Sequence, residues 1–298
     1  MLDEVIKQLN IKKNGVYLDL TFGRGGHSLA ILKMLGKKGK LIAFDKDLEA
    51  IEYAHNNFNY PNLEVIHSSF ANVDKEINKR SLKGKVDGVL MDLGVSSPQL
   101  DNDSRGFSFQ KDGPLDMRMD QSQKFNLIDW LKTATKEQIQ DVIYKFGEER
   151  KSRKIAQAIK SYQKTNTITT TKQLANIITS IIPNTKGKHP ATRTFQAFRI
   201  FINKELDELK QALAKTIDIL APKGRLVVIS FHSLEDRIVK KFIEHNSKGE
   251  EIPKGLPLIE SKRKGVNMKK KSKFTPSKKE VELNNRARSA ILRVSEKL

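Results

Sequence analysis

At 298 residues the chain has the length of about two domains and can bury a sizeable core. It holds no cysteine, which excludes disulfides, Cys-ligated zinc and a thiolate nucleophile, and it holds no apolar run long enough to span a bilayer. Lys and Arg number 55 against 35 Asp and Glu, a formal net charge of +20 on a chain that is 38% hydrophobic, so a basic globular protein is expected, soluble and cytoplasmic, with no bound metal. The charge suits a polyanionic partner. Of the cations 41 are Lys and 14 Arg, a bias that AT-rich coding also produces, so charge alone leaves nucleic acid and base composition equally open.

From residue 16 to 92 strand-like and helix-like segments alternate, the pattern of parallel strands joined by crossover helices. Strands are expected at Val16 to Leu20, Lys40 to Asp45, Leu63 to His67 and Val86 to Asp92. Helices are expected at His27 to Leu35, Leu48 to Asn57 and Asn72 to Arg80. After Asp92 the pattern breaks, because Gly94 to Asp120 is rich in Ser, Pro, Gly, Asp and Met and too long for a turn. Helical stretches follow at Asn126 to Thr133, Lys136 to Gly147, Glu149 to Lys164 and Thr171 to Ile182, closed by Pro183 and the run from Asn184 to Pro190. One long helix is expected over Phe195 to Leu220 and a strand over Arg225 to Phe231. The segment Lys248 to Leu298 carries net charge +9, with Met268 to Lys279 expected as a mobile loop and Ala290 to Ser295 as a terminal strand. The expected domains are residues 1–102 with 193–298, and an inserted helical substrate-recognition domain over 103–192.

The run Val16 to His27 reads strand, glycine loop, helix start; glycines there permit a sharp turn and close approach of a ligand to backbone N–H groups. An ordinary turn has the same composition. Asp45 ends the next strand 20 residues after Gly25, where an acidic side chain accepts hydrogen bonds from ribose hydroxyls, or caps the following helix. Both features serve NAD as well as S-adenosylmethionine, but Gly23-x-Gly25-x-x-Ser28 lacks the third glycine of the dinucleotide fingerprint. Ser68, Ser69 and Phe70 offer a polar edge and an aromatic face for an adenine, although a Phe in this place also suits a core. Strand ends on this side of an open parallel sheet line the ligand crevice, so Asp19, Asp45, Asp92 and Phe231-His232 should converge.

At these residues the sequence resembles the RsmH (MraW) family of S-adenosylmethionine-dependent methyltransferases acting on bacterial small-subunit rRNA. The resemblance rests on LDLTFGRGGHS at 18–28, MDLGVSSPQLD at 91–101, RGFSFQKDGPLDMRMD at 105–120, HPATRTFQAFRIFIN at 189–203, RLVVISFHSLEDRIVK at 225–240 and NRARSAILR at 285–293. It implies an α/β fold, a Rossmann-like class I methyltransferase sheet with a small helical insert. It also implies cofactor-binding positions at Gly25, Gly26, His27, Asp45, Phe70, Asp92 and Gln99, and a partner in 16S rRNA of the small ribosomal subunit, methylated on cytosine N4 at the decoding centre. Family members generally carry a His-containing, Pro-Val-rich segment before the Glu-Val that stands here at Glu4 and Val5, and this sequence begins without it.

The chemistry asks chiefly for positioning. The N4 lone pair is delocalised into the ring, so acceptors for its hydrogens are needed, and Asp92 with the carbonyls of Leu93 and Gly94 is nearest in sequence terms. His232 is an optional proton acceptor or a helix cap. Phe107 and Phe109 beside Arg105 and Lys111 suit base stacking and phosphate contact, or anchor the insert in its core. Arg193 and Arg199 contact RNA or pair with local carboxylates. The helical insert and the basic C-terminal segment are the expected grips on the surrounding RNA. A dinucleotide oxidoreductase and a non-catalytic RNA-binding assembly factor are the competing readings.

Overall fold

The structure, a computed structural model, describes residues 1–183, 189–249 and 265–298. It forms two compact units, Met1–Gly94 with Leu206–Leu298, and Val95–Glu205. In chain order the first unit opens with α1 (Leu2–Leu9), β1 (Val16–Asp19), α2 (Gly26–Met34), β2 (Lys40–Asp45), α3 (Leu48–Asn57), β3 (Leu63–His67), α4 (Val73–Lys79) and β4 (Val86–Asp92). The chain then makes α5 (Ser97–Asp101), α6 (Leu127–Thr133), α7 (Lys136–Gly147), α8 (Ser152–Tyr162), α9 (Thr171–Ile181) and α10 (Thr192–Asn203). It returns through α11 (Glu205–Ile219), β5 (Leu220–Ser230), α12 (Ser233–Lys248), β6 (Met268–Phe274), α13 (Lys278–Leu283) and β7 (Ile291–Lys297).

The first unit is one seven-stranded sheet in the order β3-β2-β1-β4-β5-β7-β6. Strands β1 to β5 are parallel, and β7 runs antiparallel to both β5 and β6. The central strands read as continuous apolar runs because helices cover both faces; Leu41 to Phe44 and Val89 to Met91 are fully buried. Leu18, Ile42 and Val228 face one apolar cluster, while Tyr17, Leu41 and Val227 face another, as the period of two demands.

The second unit packs its helices around Leu131, Ile143, Ile155, Leu174 and Phe198. Side-chain caps fix three of its helix starts: Thr135 accepts from Gln138 N, Thr170 from Gln173 N and Asn126 from Asp129 N. The units divide at Gly94/Val95 and Glu205/Leu206, beside expected domain boundaries at 102/103 and 192/193. Helix α10 accounts for the later second boundary, since Phe195, Phe198 and Ile202 bury into the core of the second unit.

Two expectations are corrected. The single helix over Phe195 to Leu220 is two helices, because Lys204 is left-handed with φ 52°. Apolar periodicity continues on both sides and hides the break, which polar contacts hold: Asn203 donates to Met117 O at 2.7 Å and accepts from Met119 N at 2.7 Å, and Arg199 meets Glu205 through two 2.9 Å bonds. Likewise Met268 to Lys279 is not a loop but β6 and the start of α13. The lysine-rich sequence lacks apolar alternation; pairing to β7 supplies the ladder, and lysines suit an exposed sheet edge. Of the expected closing run Asn184 to Pro190, residues 184–188 lie outside the described residues.

Candidate active site

The parallel strands end in Asp19, Asp45 and Asp92, on the side where an open α/β sheet keeps its ligand crevice. Between β1 and β4 the last ladder bond is Leu20 N to Leu90 O at 2.9 Å. Beyond it the strands part, and the next donor, Asp92 N, is taken by the Thr21 hydroxyl at 2.7 Å. Thr21 N in turn donates to Asp19 Oδ1 at 3.1 Å, and Ser28 Oγ donates to Asp19 Oδ2 at 2.7 Å. The buried Asp19 carboxyl therefore ties the ends of β1 and β4 to the first turn of α2. Asp45 accepts Gly23 N on one oxygen at 2.7 Å and Asp47 N on the other at 2.9 Å, which fixes the glycine loop against β2.

Gly25 has φ +71°, and a Cβ there would lie 2.3 Å from Phe58 Cζ, so no other residue fits the turn. Gly26 is the opposite case: a Cβ would meet nothing within 4 Å, because the first residue of α2 faces open space. No side chain caps this helix start. Its N–H groups and that space form a cradle beside the three carboxyls.

The electrostatics are those of a crowded acidic pocket. Burial pushes Asp92 up to about 6, with the charge of Asp19 adding to the rise and His27 opposing it. Burial likewise pushes Asp45 up to about 6, its two backbone hydrogen bonds opposing, and raises Asp19. His27 Nδ1 stands 3.5 Å from Asp92 Oδ2, and burial pulls the imidazole below its ordinary value. Two buried polar atoms here have no protein partner, Asp92 Oδ1 and His27 Nε2. A cation relieves such a cluster, whereas an anionic pyrophosphate worsens it. The residues thus fit S-adenosylmethionine, a sulfonium with a ribose, better than a dinucleotide. Each Asp45 oxygen still has acceptor capacity for ribose hydroxyls.

On the flank, Ser68 N donates to Asp45 O at 2.9 Å, and Ser69 Oγ accepts from Ala71 N at 3.1 Å, starting the 3-10 turn Phe70–Asn72. Phe70 is half-buried and packs on the core beneath that turn. His232 caps α12: its Nδ1 accepts from Glu235 N at 3.4 Å and its Nε2 lies 3.1 Å from Glu235 Oε1. Arg293 of β7 grips Asp236 through bonds of 2.7 and 2.9 Å and so holds the start of α12 against the sheet.

The remaining sequence-expected residues lie in the second unit. Gln99 is buried in α5, where its side-chain oxygen accepts from Ser96 N at 2.9 Å in a capping box. Arg105 is 1% exposed and donates to the carbonyls of Arg118 and Met119, so it does not face phosphates. Phe107 is a buried core residue, not an exposed stacking face. Phe109 is half-buried, stacked on His189 at 4.4 Å, while Lys111 is exposed. Arg199 is spent on Glu205, and Arg193 lies 3.8 Å from Glu149. Thr21, Ser28 and Glu235 position the site without standing out in the sequence; only the closeness of two hydroxyl residues to Asp19 and the His-x-x-Glu spacing of a capping box hint at them.

A Rossmann-ordered sheet with an antiparallel strand inserted before its last strand, and an acidic cradle at its carboxyl ends, defines the class: a Rossmann-like methyltransferase. The chain belongs to the MraW methylase family, whose description matches residues 1–298. It is 55% identical over 297 residues to "Ribosomal RNA small subunit methyltransferase H" of Ruthia magnifica subsp. Calyptogena magnifica, covering 100% of this chain and 97% of that one. A relative of the same name in Vesicomyosocius okutanii subsp. Calyptogena okutanii is 54% identical with the same coverage. Among solved structures, an rRNA methylase from Streptococcus thermophilus superposes with a TM-score of 0.43 at 13% identity, covering 100% of this chain and 93% of that one.

Proposed function

We propose that the protein methylates N4 of a decoding-centre cytosine in 16S rRNA of the small ribosomal subunit, with S-adenosylmethionine as donor. The family and the name of the relatives support the substrate class, and the observation that carries the chemistry is the part-buried Asp92 carboxyl at the crevice end of β4, 3.5 Å from His27 Nδ1. When bound, the cofactor supplies an electrophilic methyl group on a sulfonium. Gly25, Gly26 and His27 at the start of α2, together with Asp45, Phe70 and Asp92, would hold it.

What remains for the chain is to hold the amine and take its hydrogens. A cytosine N4 attacks well only when its nitrogen leaves the ring plane, and the part-exposed Asp92 carboxyl is an acceptor that favours this by binding an N4 hydrogen. Thr21 fixes the Asp92 backbone, so the carboxyl is aimed before substrate arrives. After transfer the methylated nitrogen is strongly acidic and releases its proton to Asp92 or water, so a strong base is unnecessary. No step requires His232, whose ring serves the start of α12. The target base must leave its stack to reach this site, which favours unpaired rRNA.

The test is calorimetry followed by turnover. S-adenosylmethionine, and not NADH, should bind saturably. Asp92→Asn should lower methyl transfer to small subunits by at least about a hundredfold. Saturable NADH binding alone, or turnover at the wild-type rate, would overturn the proposal.

A further inference from the structure

The motif NRARSAILR at 285–293 and the lysines of β6 have no part in the chemistry above, yet the sheet brings them to its edge. Asp92 pairs in register with Ile229, Ile229 with Leu292, and Leu292 with Phe274. One row therefore crosses four adjacent strands from Asp92 to Phe274, a span of about 14 Å at the usual strand spacing. Because β6 is antiparallel to β7, and β7 to β5, β6 has the direction of β1 to β5 and ends on the crevice side. The chain beyond Phe274 then forms α13 and the 3-10 turn Asn285–Ser289 before β7 begins. Glu280 of α13 pairs with the Met1 amino group, which ties this segment to the start of α1.

This segment is a bank of outward cations. Lys273, Lys278, Lys279 and Arg288 are all exposed, and among the described residues none of the four meets a carboxylate. Of the two acids among them, Glu280 is occupied by Met1. Edge protection is the ordinary reason for lysines on β6, but it does not account for the cations that continue past the strand into α13 and the 3-10 turn.

We infer that this bank is a phosphate-binding shelf for the RNA strand next to the methylated base, an inference that rests on the rRNA reading above. An extruded nucleotide drags its neighbours to the rim of the crevice, and the phosphates there meet Lys278, Lys279 and Arg288, with Lys273 at the strand end. The contacts carry no sequence information; they set the register of the strand over Asp92.

The experiment uses the full chain and a fluorescein-labelled, unmethylated RNA oligonucleotide covering the small-subunit decoding region. Its affinity is measured by anisotropy over a KCl series for the wild type, for the quadruple variant Lys273→Ala, Lys278→Ala, Lys279→Ala and Arg288→Ala, and for a control that removes Lys33, Lys37, Lys38 and Lys85 at the other end of the sheet. Calorimetry with S-adenosylmethionine confirms that each variant is folded. The slope of log affinity against log salt should flatten by about 3 in the shelf variant, about 0.7 for each phosphate no longer neutralised, and by less than about 1 in the control. Equal flattening in the two variants, or an unchanged slope in the shelf variant, overturns the shelf. If the wild type binds the cofactor but neither binds nor methylates the RNA, the substrate reading fails instead.

Discussion

Two loops of similar composition meet opposite fates in this chain. The run Leu20 to His27 and the run Arg105 to Asp120 are both rich in Gly, Arg, polar and apolar residues in mixed order, and both belong to long family-like motifs. In the second run side chains are spent largely on the fold itself: Arg105 feeds the carbonyls of Arg118 and Met119, Arg118 pairs with Asp116 at 2.6 Å, and Asn203 satisfies Met117 and Met119. Around the first run no side chain caps the start of α2 and its first residue faces empty space, beside the buried and unpartnered atoms Asp92 Oδ1 and His27 Nε2. A motif whose side chains bind its own backbone specifies a fold; one that leaves a helix start uncapped and facing space specifies a ligand.

A pair of glycines breaks or sharpens this comparison most strongly. A Cβ on Gly113 would lie 2.0 Å from Asp103 O, a backbone atom that cannot swing away. Gly113→Ala should therefore cost about 3 kcal/mol or more in chemical denaturation. Gly26→Ala meets no protein atom, so it should leave the denaturation midpoint nearly unchanged while weakening S-adenosylmethionine at least about tenfold by calorimetry. If Gly26→Ala destabilises the protein and spares the cofactor, the two loops are not different in kind.

Next in size is Arg105→Met, which strands two carbonyls and should lower stability by about 1 to 3 kcal/mol without changing cofactor affinity. Thr21→Val leaves Asp92 N without its acceptor; it should lower kcat several-fold with little change in cofactor affinity, and Thr21→Ser should restore it.

The smallest effect is in pH. Asp45 and Asp92 are raised to about 6, so both are ionised at pH 7 and protonate as pH falls through 6. Cofactor affinity should therefore fall below about pH 6, as the pocket loses negative charge. The unliganded protein responds with the opposite sign: a carboxyl raised by folding binds its proton more tightly when folded, so these two groups weaken the fold at pH 7 and cease to do so as pH drops from 6 towards 4. Acidification thus opposes binding while relieving the empty pocket, and titrating both quantities on one sample separates them.

Sequence alone shows the crevice well and its wiring poorly. The expected spans Lys40–Asp45, Leu63–His67 and Val86–Asp92 coincide with β2, β3 and β4: β2 and the later part of β4 are buried apolar runs that end at an Asp, and β3 is an edge run of Leu, Val and Ile around Glu64. Asp45 and Asp92 are visible for the same reason. Thr21 and Ser28 are not, since their role depends on β1 and β4 parting at one rung, which leaves no mark in periodicity. Arg105 shows the reverse failure: charge in a loop suggests a phosphate contact, yet backbone carbonyls fold around it first. Strand β6 escapes notice because pairing, not amphipathicity, makes it a strand.

The central claim is that Asp92 presents an open acceptor to the amine of an extruded cytosine. The direct measurement is to incubate the protein with methyl-labelled S-adenosylmethionine and unmethylated small subunits, digest the rRNA to nucleosides and identify the labelled species by mass. Label in N4-methylcytidine, lost with Asp92→Asn even at saturating cofactor, is the result expected. Label in another nucleoside, or undiminished labelling by Asp92→Asn, would contradict the account.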